Sequence, residues 1–414
     1  MTSSARDLPV GARRATYLPF AKPDITDEEI SAVVSVLRSG WLTTGPEVQA
    51  FEQEFAAALG VRHAVALNSC TAAMHLALEA LGVSPGDEVI TSTVTFTATA
   101  EVVEYLGARS RFVDVEPGTL NLTADGVRDL IAREYVRNDG AWRHRDTGGR
   151  LRAIVPVHFG GHLADMPALV ELAREYGLLM VDDAAHAFPA SLGRAQVGSF
   201  GCPTAFSFYA TKTVTTGEGG MLTTDDDAVA SRVRLMALHG ISRDAWKRYT
   251  AEGTWDYEVV AAGYKYNLTD LAAALGRVQL RRAEGMRARR AAIAAAYARG
   301  LGAVPEIELP TVRPGVVHAW HLYPIRLRLE RLTIGRGEFI EELRRRQVGA
   351  SVHFIPLHRQ PFYRERYGYQ ASAFPVAEAE FPRLVSLPIY SRMSDADVAS
   401  VVATVQEIIE TFQR

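Results

Sequence analysis

"MPALVELAREYGLLMVDDAAHA", residues 166–187, reads as one helix–strand unit. Its helical run closes on Gly177, a residue suited to the left-handed turn that ends helices, and an apolar stretch follows that finishes in two acids. An acid at the C-terminal edge of such a strand faces the crevice where α/β proteins place their ligands. The alternation extends outward from this stretch. "HAVALN" (63–68), "DEVITST" (87–93), "SRFVDV" (110–115) and "RAIVPVHF" (152–159) are further strand-like runs, and "TAAMHLALEALG" (71–82) is a helical segment between the first two. The pattern predicts an α/β fold, a largely parallel sheet flanked by helices. The polar stretch "REYVRNDGAWRHRDTGGR" (133–150) breaks the rhythm and reads as an exposed excursion.

Beyond Asn267 the character changes. Leu271, Leu275 and Val278 form a helical stripe, "HLYPIRLRL" follows, a helix is expected near Glu338 to Arg346, and Val401, Val405, Ile408 and Phe412 share one face of a last helix. The expected organisation is an N-terminal arm (1–15), a large domain (16–267) and a smaller C-terminal α+β domain (268–414).

Composition narrows the function. The 414 residues are 48% hydrophobic and 22% charged with a formal charge of −3, which leaves no electrostatic footprint for nucleic acid. Cys70 and Cys202 are too few for a disulfide framework, no Cys-x-x-Cys spacing occurs, and no metal is expected. No stretch is long and apolar enough to cross a membrane, so a cytoplasmic location is expected.

A second stretch, "SFYATKTVTTGEGG" (207–220), sets Lys212 between a strand-like run and a glycine-rich turn, with hydroxyls on both sides. Lysine serves as nucleophile or base when its amine is held in a pocket and partly dehydrated. Asp183 and His186 are spaced to point into one crevice, and Lys212 follows after room for one more strand. Lysine, aspartate and an aromatic ring are what pyridoxal phosphate requires: a hold for its aldehyde, a carboxylate for its ring nitrogen, and a flat face. Ser69, Cys70 and Thr71 lie between a strand and a helix, where free N–H groups favour a phosphate. Taken singly, Asp182 or Asp183 reads as a cap, His186 as a satisfied loop or core histidine, Ser69 to Thr71 as an N-cap, and Lys212 as a surface lysine. Their order on successive strand ends favours the joint reading.

Nearly the whole chain resembles the DegT/DnrJ/EryC1 aminotransferases, sugar aminotransferases of pyridoxal-phosphate fold type I. The resemblance is carried by "SGWLTTGP" (39–46), "NSCTAAMHLAL" (68–78), "DEVITSTVTFTATA" (87–100), "VDDAAHAFPA" (181–190), "SFYATKTVTTGEGGML" (207–222), "GYKYNLTDLAAALG" (263–276) and "AWHLYPI" (319–325). It implies that Lys212 carries the cofactor, Asp183 faces the pyridine nitrogen, His186 lies on the hydroxyl side of the ring and Phe96 stacks on it. It implies that Cys70, Thr71 and Ser207 hold the phosphate, with Cys70 standing where a smaller residue is commoner. Lys265 and Asn267 then reach the cofactor of a neighbouring subunit, which makes the active unit a homodimer. Trp41, Thr43, Thr44, Tyr209, His353 and Phe354 are the substrate candidates, while His358 and Arg359 read as a solvated loop. The implied reaction moves an amino group from L-glutamate or L-glutamine to a nucleotide-linked keto sugar. "HGISRDAWKRY" (239–249) with "GYKYNLTD" favours C4 of a dTDP- or UDP-linked 4-keto hexose. A keto-cyclitol acceptor and a catalytically silent binding protein are the alternatives; a 3-dehydratase of this family carries histidine at the position of Lys212.

Overall fold

The computed structural model describes residues 15–241 and 257–414. The expected arm, residues 1–15, lies almost wholly outside the described residues, as does most of "HGISRDAWKRY".

Strand order across the main sheet runs Arg109–Val113, Asp87–Ser92, Arg150–Val155, the broken strand Leu179–Met180 and Asp182–Asp183, Thr204–Ser207, Gly220–Thr224, then His63–Leu67. The two ladders join where Asp183 bridges Val157 in parallel. Gly220–Thr224 runs antiparallel to both of its neighbours, and the other pairings across the sheet are parallel. The central strands are buried throughout, as two-sided cover by helices demands: Asp87–Ser92 and Gly220–Thr224 expose nothing. Gly177 ends the helix Met166–Tyr176 in the left-handed conformation at φ 67°, so Leu179–Met180 enters the sheet directly behind it.

The polar excursion folds as a hairpin. Tyr135–Asn138 pairs with Ala141–His144 around Asp139 and Gly140, both at positive φ, the two-residue turn that Asp-Gly favours. Its tip is exposed, but its base is fixed by a buried polar cluster. Arg111 meets Glu134 and His144, and the Tyr135 hydroxyl donates to Glu88.

One long helix, Asp270–Leu301, links two cores. Its first half packs with Phe51, Phe55 and Phe208 through Ala273 and Met286; its second half contributes Ile293, Tyr297 and Leu301 to a core with Tyr323, Phe339 and Val405. Asp270 also caps the helix Pro46–Leu59, its carboxylate accepting from the N–H groups of Gly45 and Val48 at 2.8 and 3.0 Å. The strand Tyr323–Leu327 and the helices Arg336–Arg345 and Asp395–Phe412 complete the C-terminal part, and among the described residues no helix is long and apolar enough to cross a membrane.

Candidate active site

A cavity of about 500 Å³ opens at the C-terminal ends of the parallel strands. Its wall contains Cys70, Thr71, Phe96, Asp183, His186, Ser207, Tyr209, Lys212, His353 and Phe354, all expected to belong together, and also Ser69, Glu218 and His321.

The phosphate end is built on the helix Cys70–Ala80. Ser69, in extended backbone, caps it by accepting from the Ala72 N–H at 3.0 Å. The N–H groups of the first turn have no carbonyl of their own helix to meet, which makes this end a ready anion site. Gly220 lets the neighbouring strand approach: a Cβ there would sit 2.3 Å from the Ser69 carbonyl carbon and 2.5 Å from the Cys70 nitrogen.

Asp183 is buried at 4% exposure. Thr99 Oγ1 donates to its Oδ2 at 2.7 Å and the Ala185 N–H to its Oδ1 at 3.1 Å. Burial pushes its pKa up against those two bonds, so the carboxylate lacks a full counter-charge in the chain itself. Asp182, next in sequence, faces a different partner: its carboxylate pairs with the buried His158 at 3.0 Å, a structural contact.

Lys212 is half-buried in the cavity wall. Dehydration draws its ammonium down to about 8, with the buried Arg290 acting in the same direction and Cys70 and Asp183 opposing. Its Nζ lies 3.4 Å from His321 Nε2. His321 packs against His186 with ring centroids 4.3 Å apart, and His186 lies beside Phe354. The Gly160 N–H donates to His186 Nδ1 at 3.2 Å, which leaves His186 Nε2 to carry the proton. Burial, the largest cause, and Lys212 hold His186, His321 and His353 neutral, with His353 at about 4. The Phe159–Gly161 turn braces this group: Gly160 and Gly161 carbonyls accept from Leu322 and Ala319 at 3.0 and 3.1 Å.

These residues fit pyridoxal phosphate. They offer a dehydrated amine, a carboxylate without a full counter-charge, an N–H donor at His186, and a glycine-framed helix N-terminus. Phe96, 59% exposed, is not a core phenylalanine; it offers a free ring face beside Phe354.

Trp41, Thr43, Thr44, Lys265 and Asn267 lie outside the cavity wall. Asn267 donates to Thr44 Oγ1 at 2.7 Å, Lys265 Nζ donates to Asn267 Oδ1 at 2.6 Å, and Trp41 Nε1 donates to the Thr44 carbonyl at 3.2 Å. His358 corrects the solvated-loop reading. It is 2% exposed, bonds Thr93 Oγ1 and Glu378, and stacks on Phe374, while Arg359 pairs with the same Glu378. His321 is a site residue that the sequence alone does not mark; its stretch "AWHLYPI" carries only part of the family resemblance.

Neutral buried imidazoles tie stability to pH. His353 and His162 are both pushed down to about 4, chiefly by burial. Between about pH 6.5 and 4 the unfolded chain therefore binds more protons than the native one, so this stability is full above about 6.5 and lost as pH falls through that window. Asp183, pushed up, offsets part of the loss. The thermal midpoint of the cofactor-free protein should drop by a few degrees or more from about pH 7 to about pH 5. A flat or rising midpoint would contradict the neutral imidazoles.

Known proteins share this architecture. The spore coat polysaccharide biosynthesis protein SpsC of Bacillus subtilis is 45% identical over 399 residues, 96% of this chain and 98% of SpsC. The aminotransferase TlmJ of Streptoalloteichus hindustanus superposes with a TM-score of 0.83 at 33% identity, covering 95% of this chain and 98% of TlmJ. The putative sugar aminotransferase Spr1654 of Streptococcus pneumoniae, in its PMP form, gives 0.85 at 31%, covering 95% and 99%; the same protein is also known in a PLP form. The profile of the DegT/DnrJ/EryC1/StrS aminotransferase family matches residues 23–406, and with the lysine, the carboxylate and the helix N-terminus converging on one cavity, the chain belongs to that family as a pyridoxal-phosphate-dependent sugar aminotransferase.

Proposed function

We propose that the acceptor is a nucleotide-linked 4-keto hexose, aminated at C4 with L-glutamate or L-glutamine as donor, in a homodimer whose partner completes each site. The observation that carries this reading is the lining around Lys212. Besides Asp183, Cys70 and a few small or apolar residues, it offers imidazoles, hydroxyls and aromatic faces, with Glu218 at one side and, among the described residues, no arginine. Such a wall suits an uncharged polyol ring, whose hydroxyls call for donors, acceptors and flat faces. Tyr209, His353 and Phe354 are the contacts assigned to the sugar. Lys265 is exposed and lies outside the cavity of its own chain with Asn267 beside it, which supports a contribution to a partner's site.

When bound, the cofactor supplies an aldehyde that takes up the amino group and a ring that accepts electrons. Lys212 Nζ, drawn down to about 8 by dehydration, moves the proton from the donor's amino-bearing carbon and returns one to the acceptor carbon. Asp183 holds negative charge where a ring nitrogen would be protonated, and Thr99 fixes its orientation. His186 Nε2 presents a proton donor to the ring's hydroxyl side.

dTDP- and UDP-linked 4-keto and 3-keto sugars, assayed with glutamate or glutamine, test the acceptor. Amination at C4 of a nucleotide sugar is the expected outcome; turnover confined to a keto-cyclitol would overturn it. Light scattering tests the assembly, because a fully active monomer would contradict the role given to Lys265 and Asn267.

A further inference from the structure

Arg290, on the helix Asp270–Leu301, is 4% exposed and has no carboxylate ion pair among the described residues. Its neighbours on the same helix do better: Arg287 pairs with Glu284 and Arg289 with Asp395. Arg290 Nη1 instead donates to the carbonyls of Ile389 at 2.7 Å, Trp320 at 3.1 Å and His321 at 3.5 Å, and its Nε has no partner. A buried cation without a counter-ion is costly, and carbonyl dipoles offset only part of that cost.

The carbonyls it grips frame the active-site histidine. Trp320 holds φ 52°, in the left-handed region that side chains other than glycine rarely adopt, and its bond to Arg290 helps fix that turn. The next residue, His321, is thereby set with Nε2 3.4 Å from Lys212 Nζ and Nδ1 without a partner.

We propose that Arg290 is a positioning residue for the proton-carrying lysine: by gripping the Trp320 and His321 carbonyls it sets His321 Nε2 against Lys212 Nζ, and its buried charge disfavours a second cation beside it. Burial sets most of the low affinity of Lys212 for its proton; Arg290 adds to it, while Cys70 and Asp183 act against it. His321 is faced by Lys212, His186, Arg290 and His353, all of which disfavour a proton there. Asp24 is the acid whose field reaches Arg290, which is nonetheless drawn down to about 10 by burial. Asp24 is itself engaged by Arg282 and Ser391.

The test reads Lys212 directly in the cofactor-free enzyme, through its rate of acetylation by trace acetic anhydride against pH, followed by mass spectrometry of its peptide. The wild-type midpoint should fall at about 8. Arg290→Gln keeps a donor for the carbonyls and Arg290→Met keeps the apolar stem; both lose the charge. Either one, if folded by circular dichroism, should raise the midpoint and slow labelling at neutral pH by about a few-fold, whereas Arg290→Lys should match the wild type. A wild-type midpoint at the ordinary 10.5, or equal midpoints in wild type and neutral variants, would overturn the proposal. So would loss of the fold in both neutral variants with its retention in Arg290→Lys, since the charge would then be structural.

Discussion

Replacing Lys212 with alanine is expected to end transamination, lowering kcat by about four orders of magnitude or more, because one side chain supplies both the covalent hold and the proton carrier. Nothing else in the cavity can take over. His186, His321 and His353 are held neutral and reluctant to accept protons, and Glu218 is exposed at the cavity wall. Borohydride reduction of the loaded wild type should fix the cofactor to the peptide containing Lys212, and the variant should yield no such adduct. An adduct at another lysine, or a loss of less than about tenfold, would remove Lys212 from its assigned role.

Asp183→Asn should cost roughly two to four orders of magnitude in kcat at nearly unchanged thermal stability. The amide keeps the shape but not the charge that a protonated ring nitrogen requires. It must also turn its NH₂ away from the Ala185 N–H, and so toward Thr99 Oγ1, which now donates to the carboxylate. Stability is spared because the carboxylate is already pushed up by burial, and a neutral group relieves that desolvation. Full activity in Asp183→Asn would show that the ring nitrogen needs no counter-charge here.

Asp183 is legible because it ends a strand, and Lys212 because it lies in the glycine-rich turn just beyond one, where a polar residue after an apolar run has few structural uses. Cys70 and Thr71 were legible for the same reason, at a strand-to-helix junction. His321 was not. Its neighbours in sequence are aromatic and aliphatic, and its place beside Lys212 depends on the Gly160–Gly161 carbonyls that brace residues 319–322, a pairing across more than 150 positions that local pattern does not carry. Arg290 was hidden in an alanine- and arginine-rich helix where charge reads as solvated surface. The hairpin at Asp139-Gly140 carried its own signal, a two-residue turn favoured by its residue types, masked by the polarity around it. His358 read as loop because its burial comes from Phe374 and Glu378, which follow it in the chain and fold back over it.

The brace between the Phe159–Gly161 turn and residues 319–322 also makes the cavity a product of long-range contacts. The cavity draws its wall from Ser69 through Phe354, so its completion carries the entropy of closing loops that span most of the chain. A cofactor that binds only the completed cavity therefore stabilises the folded chain over the unfolded one by mass action, and its capture reports that these distant segments have come together.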